Sequence, residues 1–189
     1  MPALLAHART PVAAFGVLAI LSLPTLGFGL MADDYLQQLV IQSWLGELVL
    51  PPVLDVPLGH PLLDGFTFLH GDPDLAAFEE QRGLLPWWAP LDIKARFLRP
   101  LTMATHMLDY TLWPGAPWLM HLHSLAWMML GLALALALFR RVHGRGNEAV
   151  LAWLAFALED THGASVAWIA NRNVFVALVF GLLALLAHH

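Results

Sequence analysis

The chain has 189 residues, of which 59% are hydrophobic and only 12% charged, with a mean hydropathy of +0.66. A soluble domain is about one quarter charged, so this composition belongs to a membrane protein. Nine Lys and Arg against fourteen Asp and Glu leave a formal charge of -5, with no basic surplus for nucleic-acid phosphates; the absence of cysteine excludes disulfides, thiolate metal sites and cysteine nucleophiles.

Residues 11–31 carry no formal charge and are long enough to cross a hydrocarbon core of roughly 30 Å, which makes them span 1. A cleaved signal peptide is the competing reading. The apolar core is long for one, and Gly29-Leu30-Met31-Ala32 is a poor cleavage site, which favours a retained anchor. Residues 32–116 then form an outer loop with eleven acidic and four basic residues. Within it, Leu36, Leu39, Val40, Trp44 and Leu48 recur at helical spacing over 35–48, and Pro51-Pro52 ends that helix. Pro, Gly and Asp make 51–74 a set of turns, 74–82 reads as a short helix, and Leu85-Pro86-Trp87-Trp88 suits a lipid–water interface. Pro100 opens a further helix to about Trp113.

Residues 117–139 are span 2, and 140–147 form a short loop with Arg140, Arg141 and Arg145. Two shorter apolar runs follow: span 3 at 148–162, an outer turn at 163–173, and span 4 at 174–187. The expected fold is all-α: a polytopic helical membrane protein with about four spans and a partly helical outer loop between the first two. The arginine loop marks the cytoplasmic side, which places the N-terminus in the cytoplasm, and a bacterial inner or plasma membrane is the expected location.

Several polar residues stand out. Asp33 and Asp34 are adjacent carboxylates between span 1 and a helix, suited to accepting a proton or, with Asp160, to holding a divalent cation such as Mg or Mn. Asp34 followed by Gln37 is equally a helix-capping pattern. Arg99 before Pro100 suits a phosphate or a snorkelling position, and His106 with Asp109 fits a surface hydrogen bond. His121 and His123 lie near the outer end of span 2 but point about 200° apart, so they cannot chelate one metal together. Glu159, Asp160, His162, Asn171 and Arg172 gather in the second outward turn.

Phe97-Leu98-Arg99-Pro100-Leu101-Thr102, Leu108-Asp109-Tyr110, Phe156-Ala157-Leu158, His162, Val166 to Ala170 and Arg172 resemble the GT-C membrane glycosyltransferases. The pattern is most similar to the O-mannosyltransferases that carry tetratricopeptide repeats, and Ala32-Asp33-Asp34-Tyr35 matches the acidic pair of their first outer loop. The resemblance implies sugar transfer from a polyprenyl-phosphate donor to an acceptor hydroxyl at the outer membrane face. Asp33 or Asp34 would be the base, Arg99, His162 and Arg172 would meet the donor phosphate, and a divalent cation is optional. His106, His121, His123, Glu159, Asp160 and Asn171 would line the site. The pattern departs at Glu159-Asp160, where a His-Pro pair is usual, and at Ser124, Met128 and Ala164. On this reading the chain is the N-terminal part of a larger core, completed by further spans or a helix-bundle partner. The other reading is a non-catalytic membrane protein that keeps the fold and binds lipid or a partner subunit.

Overall fold

A computed structural model of the chain describes residues 9–47, 60–83 and 85–188. The expected helix end at Leu48, the Pro51-Pro52 stop and the first part of the expected turns lie outside the described residues. The protein is an all-α membrane protein, with 73% of the described residues helical. Among the described residues, three helical stretches are long and apolar enough to cross a bilayer: Thr10–Gly27, Pro117–His143 and Ile169–His188. The chain divides into two compact units, residues 1–34 with 111–189 and residues 35–110.

The first unit is a helical bundle. Helix α1 (Arg9–Ser22) continues through a 3-10 turn (Leu23–Gly27), and α2 (Asp33–Trp44) begins at its far end. After residue 111 come α6 (Pro117–His143), α7 (Asn147–Ala157), α8 (Thr161–Ala167), a 3-10 turn (Ile169–Arg172) and α9 (Asn173–His188). Pro117 at the first position of α6 needs no N–H partner there. Gly144, at φ +77°, ends the helix in a conformation that side chains resist. Along α6, Met120, Ser124, Leu125, Met128, Leu132, Ala135 and Leu136 are buried, a stripe at helical spacing that faces the neighbouring helices. Leu132, Trp153, Val166 and Phe175 are at the centre of the core.

Contacts along α6 fix the direction of each neighbour. The Arg172 guanidinium reaches the Met120 carbonyl at 2.8 Å, Gly131 lies against Leu178, and Arg141 Nη1 donates to the Leu186 carbonyl at 2.8 Å. Both residue numbers rise together, so α6 and α9 are parallel. The α7–α8 leg descends instead: Trp153 Nε1 donates to the Leu132 carbonyl at 2.8 Å, and the Val166 carbonyl meets His121 Nδ1 at 3.1 Å. Helix α1 also runs against α6, with the Phe15 ring tilted against Trp153 at 4.8 Å between centroids and the Gly29 carbonyl at His121.

Parallel α6 and α9 require the chain between them to travel back the length of α6. Helix α7 has 11 residues, about 16 Å of rise, and α8 completes the return after a break at residues 158–160. The expected third span at 148–162 is therefore one part of a broken leg. The expected outer turn at 163–173 is corrected as well: residues 161–167 are helical, and the reversal falls at Trp168, whose backbone is extended. The last apolar stretch starts at Ile169 rather than 174, so it takes in Arg172.

The second unit contains the rest of α2 and four short elements before its final helix: α3 (Pro61–Asp64), β1 (Thr67–His70), α4 (Pro73–Gln81) and β2 (Lys94–Arg96), then α5 (Pro100–Leu112). The strands were not expected from the sequence; they pair antiparallel with Thr67 opposite Arg96 and Leu69 opposite Ala95. Asp72 caps α4, its side chain accepting from the N–H groups of Asp74 and Leu75, and Pro73 follows at the first helical position. Val40, Ile41, Phe66, Met103 and Tyr110 are buried in this unit.

Candidate functional site

Polar side chains collect at the end of the first unit opposite Arg140, Arg141 and Arg145. Asp34 is fully buried there. One carboxylate oxygen accepts from the Met31 N–H at 2.9 Å, three residues back, and the other accepts from the Ala170 N–H, 136 residues away. The expected pairing of Asp34 with Gln37 as a cap does not form. Helix α2 starts at Asp33, so Asp34 is already inside its first turn and reaches backwards, while Gln37 Nε2 donates to the Gly65 carbonyl at 2.7 Å within the second unit. Burial pushes the Asp34 carboxyl above its ordinary range, and the backbone donors at Met31 and Ala170 and the nearby His121 only partly oppose that. Asp33, beside it, is half-buried.

Arg172 is also fully buried. Its Nε donates to Ser124 Oγ at 2.9 Å, its Nη2 to the Met120 carbonyl at 2.8 Å, and its Nη1 lies 3.3 Å from His123 Nδ1. His123 Nε2 in turn accepts from Trp127 Nε1 at 3.0 Å. His121 faces elsewhere, bridging the Gly29 carbonyl at 2.8 Å and the Val166 carbonyl at 3.1 Å. The two histidines thus serve separate clusters, as their helical spacing requires. His121 ties α1 and α8 to α6; His123 joins the arginine.

His162 Nε2 contacts the Phe156 carbonyl at 2.9 Å and its ring packs against Phe156 and Phe175. With Glu159 and Asp160 it lines a cleft against α1. Asn171 turns away to Ser165, with Nδ2 3.1 Å from its hydroxyl. In the second unit, Arg99 lies over the rings of Phe66 and Phe97, 5.0 and 4.8 Å from their centroids, a cation–π arrangement. His106 and Asp109 are not at the surface as their spacing suggested. Both are fully buried on the inner face of α5, along with Thr102 and Met103.

A divalent cation does not fit these donors. Both Asp34 oxygens already receive backbone N–H groups, and among the described residues no three His, Asp or Glu side chains converge as a metal would need. Sequence reasoning missed Ser124 as the arginine's partner and the carbonyls of Gly29 and Val166 as partners of His121. Ser124 was detectable in one respect, since it lies three residues after His121 on the same helical face. No family model matches the chain, no curated protein is detectably similar to it, and no solved structure matches its fold.

Proposed function

We propose that the chain is the membrane-embedded part of a GT-C-like glycosyltransferase, taking sugar from a polyprenyl-phosphate donor to an acceptor hydroxyl. The observation that carries this reading is the bond between the Asp34 carboxylate and the Ala170 N–H, which holds the acidic pair beside the Arg172 segment. A transferase of this kind needs a carboxylate and cationic or donor groups at one membrane face. Burial separates the roles within each pair. Asp34 and Arg172 are enclosed and act as positioning residues; Asp33, half-buried at the start of α2, is the proton acceptor. In the reaction, Asp33 takes the acceptor hydroxyl proton while that oxygen bonds to the anomeric carbon. The bond from that carbon to the phosphate oxygen breaks, its electron pair leaves with the polyprenyl phosphate, and the anomeric centre inverts. Within the first unit, His162 is the remaining group for the donor phosphate. The positive-inside rule puts the arginine loop in the cytoplasm and the acidic pair on the outer face.

The second reading, a non-catalytic lipid- or subunit-binding protein, draws on the internal hydrogen bonds that occupy Asp34 and Arg172. A transfer assay with the complete protein, a polyprenyl-phosphate sugar and Asp33→Asn separates the two. Transfer that falls by about a hundredfold or more in the variant supports the base, in line with the usual loss of an acid–base group. Undiminished transfer removes Asp33 from the mechanism, and absence of transfer by the wild-type protein favours the second reading.

A further inference from the structure

Helix α5 is built inside out for water. Thr102, Met103, His106, Asp109 and Tyr110 are buried, within an arc of about 120° at 3.6 residues per turn, so most of its polar side chains face inward. Leu101, Leu108 and Leu112 lie on the opposite side, within about 40° of one another, and are 54%, 49% and 59% exposed. A helix at the surface of a soluble domain turns its apolar stripe to the core and its polar residues to solvent. Here the stripe points outward, and Leu98, just ahead of the helix, is exposed as well.

What such a stripe meets depends on where the helix is held. Leu112 and α6 belong to the same unit, and only residues 113–116 separate the two helices. That connection is closed as a turn, the Ala116 N–H donating to the Trp113 carbonyl at 3.0 Å. Trp118, the second residue of α6, is exposed, and Leu122 and Leu130 are exposed beyond it within the apolar stretch Pro117–His143. An exposed Trp at the start of an apolar helix sits at headgroup level. The end of α5 is therefore tied to the level at which α6 enters the bilayer. With 13 residues α5 rises about 20 Å, too short to cross a core of roughly 30 Å. A helix of that length with one apolar side lies along the lipid–water boundary.

Charge favours lipid as the cover. Three of the four bases in the outer loop, Lys94, Arg96 and Arg99, fall just ahead of α5, and Arg96 also bonds Asp64 at 2.8 Å. Of the loop's eleven acids only Asp92 and Asp109 lie between residues 85 and 112, and Asp109 is buried. In an otherwise acidic loop, this is the stretch that meets lipid phosphates without repulsion.

We propose that α5 is an interfacial helix, lying in the leaflet where α6 begins, with Leu101, Leu108 and Leu112 in the acyl region and Thr102, His106 and Asp109 turned into protein. The surface it docks on is lipid, continuous with the lipid face of α6. This embedding stands independently of any transfer reaction.

The test is site-directed spin labelling of the full chain, reconstituted in vesicles of phosphatidylcholine and phosphatidylglycerol. The chain has no cysteine, so Ala104→Cys, which flanks the stripe, Leu108→Cys and Leu112→Cys can each be labelled alone; all three positions are exposed, so a label needs no repacking. Collisions with dissolved oxygen, which concentrates in hydrocarbon, are compared with collisions with a water-soluble nickel chelate. Leu130→Cys on α6 is the lipid reference, and Asp74→Cys, exposed on α4, is the water reference. The α5 labels are expected to give an oxygen-to-nickel ratio severalfold above that at position 74, and a depth of about 5–10 Å below the headgroups. Nickel access as high as at position 74 would put the stripe in water and overturn the proposal. Low access to both reagents would mean that protein, a second copy or a partner, covers the stripe, and would overturn it equally.

Discussion

Replacing Asp34 by Ala distinguishes a positioning residue from a reacting one. The carboxylate occupies two backbone donors, Met31 N–H at 2.9 Å and Ala170 N–H, in a fully buried setting. Alanine leaves both unpaired, and each buried orphan costs about 1–3 kcal/mol. Part of this is returned, because burial disfavours the carboxylate itself, as its raised pKa records. The expected net loss is about 2–4 kcal/mol for Asp34→Ala. Asp34→Asn keeps one acceptor oxygen and removes the charge, so its loss is expected to be less than half as large. The pH dependence supplies a second readout. A carboxyl with a folded pKa above its ordinary 3.8 binds its proton more tightly in the folded state. Its contribution is therefore full below pH 3.8 and is lost as pH rises through the higher folded value. Asp34→Asn should flatten that part of the profile. Detergent-solubilised protein titrated with SDS, followed by circular dichroism between pH 3.5 and about pH 7, measures both. A variant as stable as wild type, or more stable, would refute the reasoning, since that is how removal of a buried group held only for catalysis behaves.

Other expectations concern the bundle. Gly131→Leu should destabilise by about 1–3 kcal/mol in the same titration, because even a Cβ there comes 2.9 Å from Leu178 Cδ2. Gly131→Ala should do much less, since that contact is the mobile end of a side chain. Trp153→Phe loses the 2.8 Å bond to the Leu132 carbonyl and part of the ring contact with Phe15, and should lower stability by about 1–2 kcal/mol. The chain lacks cysteine, so single Cys variants can be labelled cleanly with an impermeant maleimide in sealed vesicles. Gly144→Cys and His188→Cys should react from one side, and Gly115→Cys from the other. Reaction of positions 144 and 188 from opposite sides would contradict parallel α6 and α9.

Local features of this fold were legible in the sequence because their causes are local. Pro117 and the run after it announce α6, though the helix continues through Arg140 and Arg141 to His143 instead of giving way to a loop at 140, and Asp72-Pro73 starts α4 within a residue of the expected place. What escaped depends on distant partners. Treating Arg172 as a charge outside span 4 moved that span's start to 174, because nothing nearby in sequence shows that Ser124 and the Met120 carbonyl enclose the guanidinium. His106 and Asp109 looked like a surface pair because a polar i, i+3 spacing carries no information about the neighbouring elements that bury it. The pairing of β1 with β2 joins segments more than twenty residues apart, each too short to show a strand period. At the candidate site, the clustering of the acidic pair with the segment before Arg172 was anticipated from topology, but the division between the enclosed Asp34 and the half-buried Asp33 was not. Two adjacent carboxylates look alike until the backbone around one of them is known.

The parallel course of α6 and α9 explains why these polar groups meet. If the leg between them were one unbroken helix over 147–167, the backbone at 158–160 would be helical and the helix register alone would direct Glu159, Asp160 and His162. Breaking it after 11 residues brings Glu159, Asp160 and His162 down beside α1, and lets α8 complete the return to Trp168. The extended backbone at Trp168 then turns the chain sharply enough for the Ala170 N–H to meet Asp34 and for Arg172 to enter α6 at Met120 and Ser124. A buried carboxylate and a buried guanidinium are each costly alone, and each is retained here by bonds that cross between helices. The same interruption that shortens α7 thus makes the cleft and positions the polar end of the bundle, so lengthening α7 by helix-favouring substitutions at 158–160 should disturb both together.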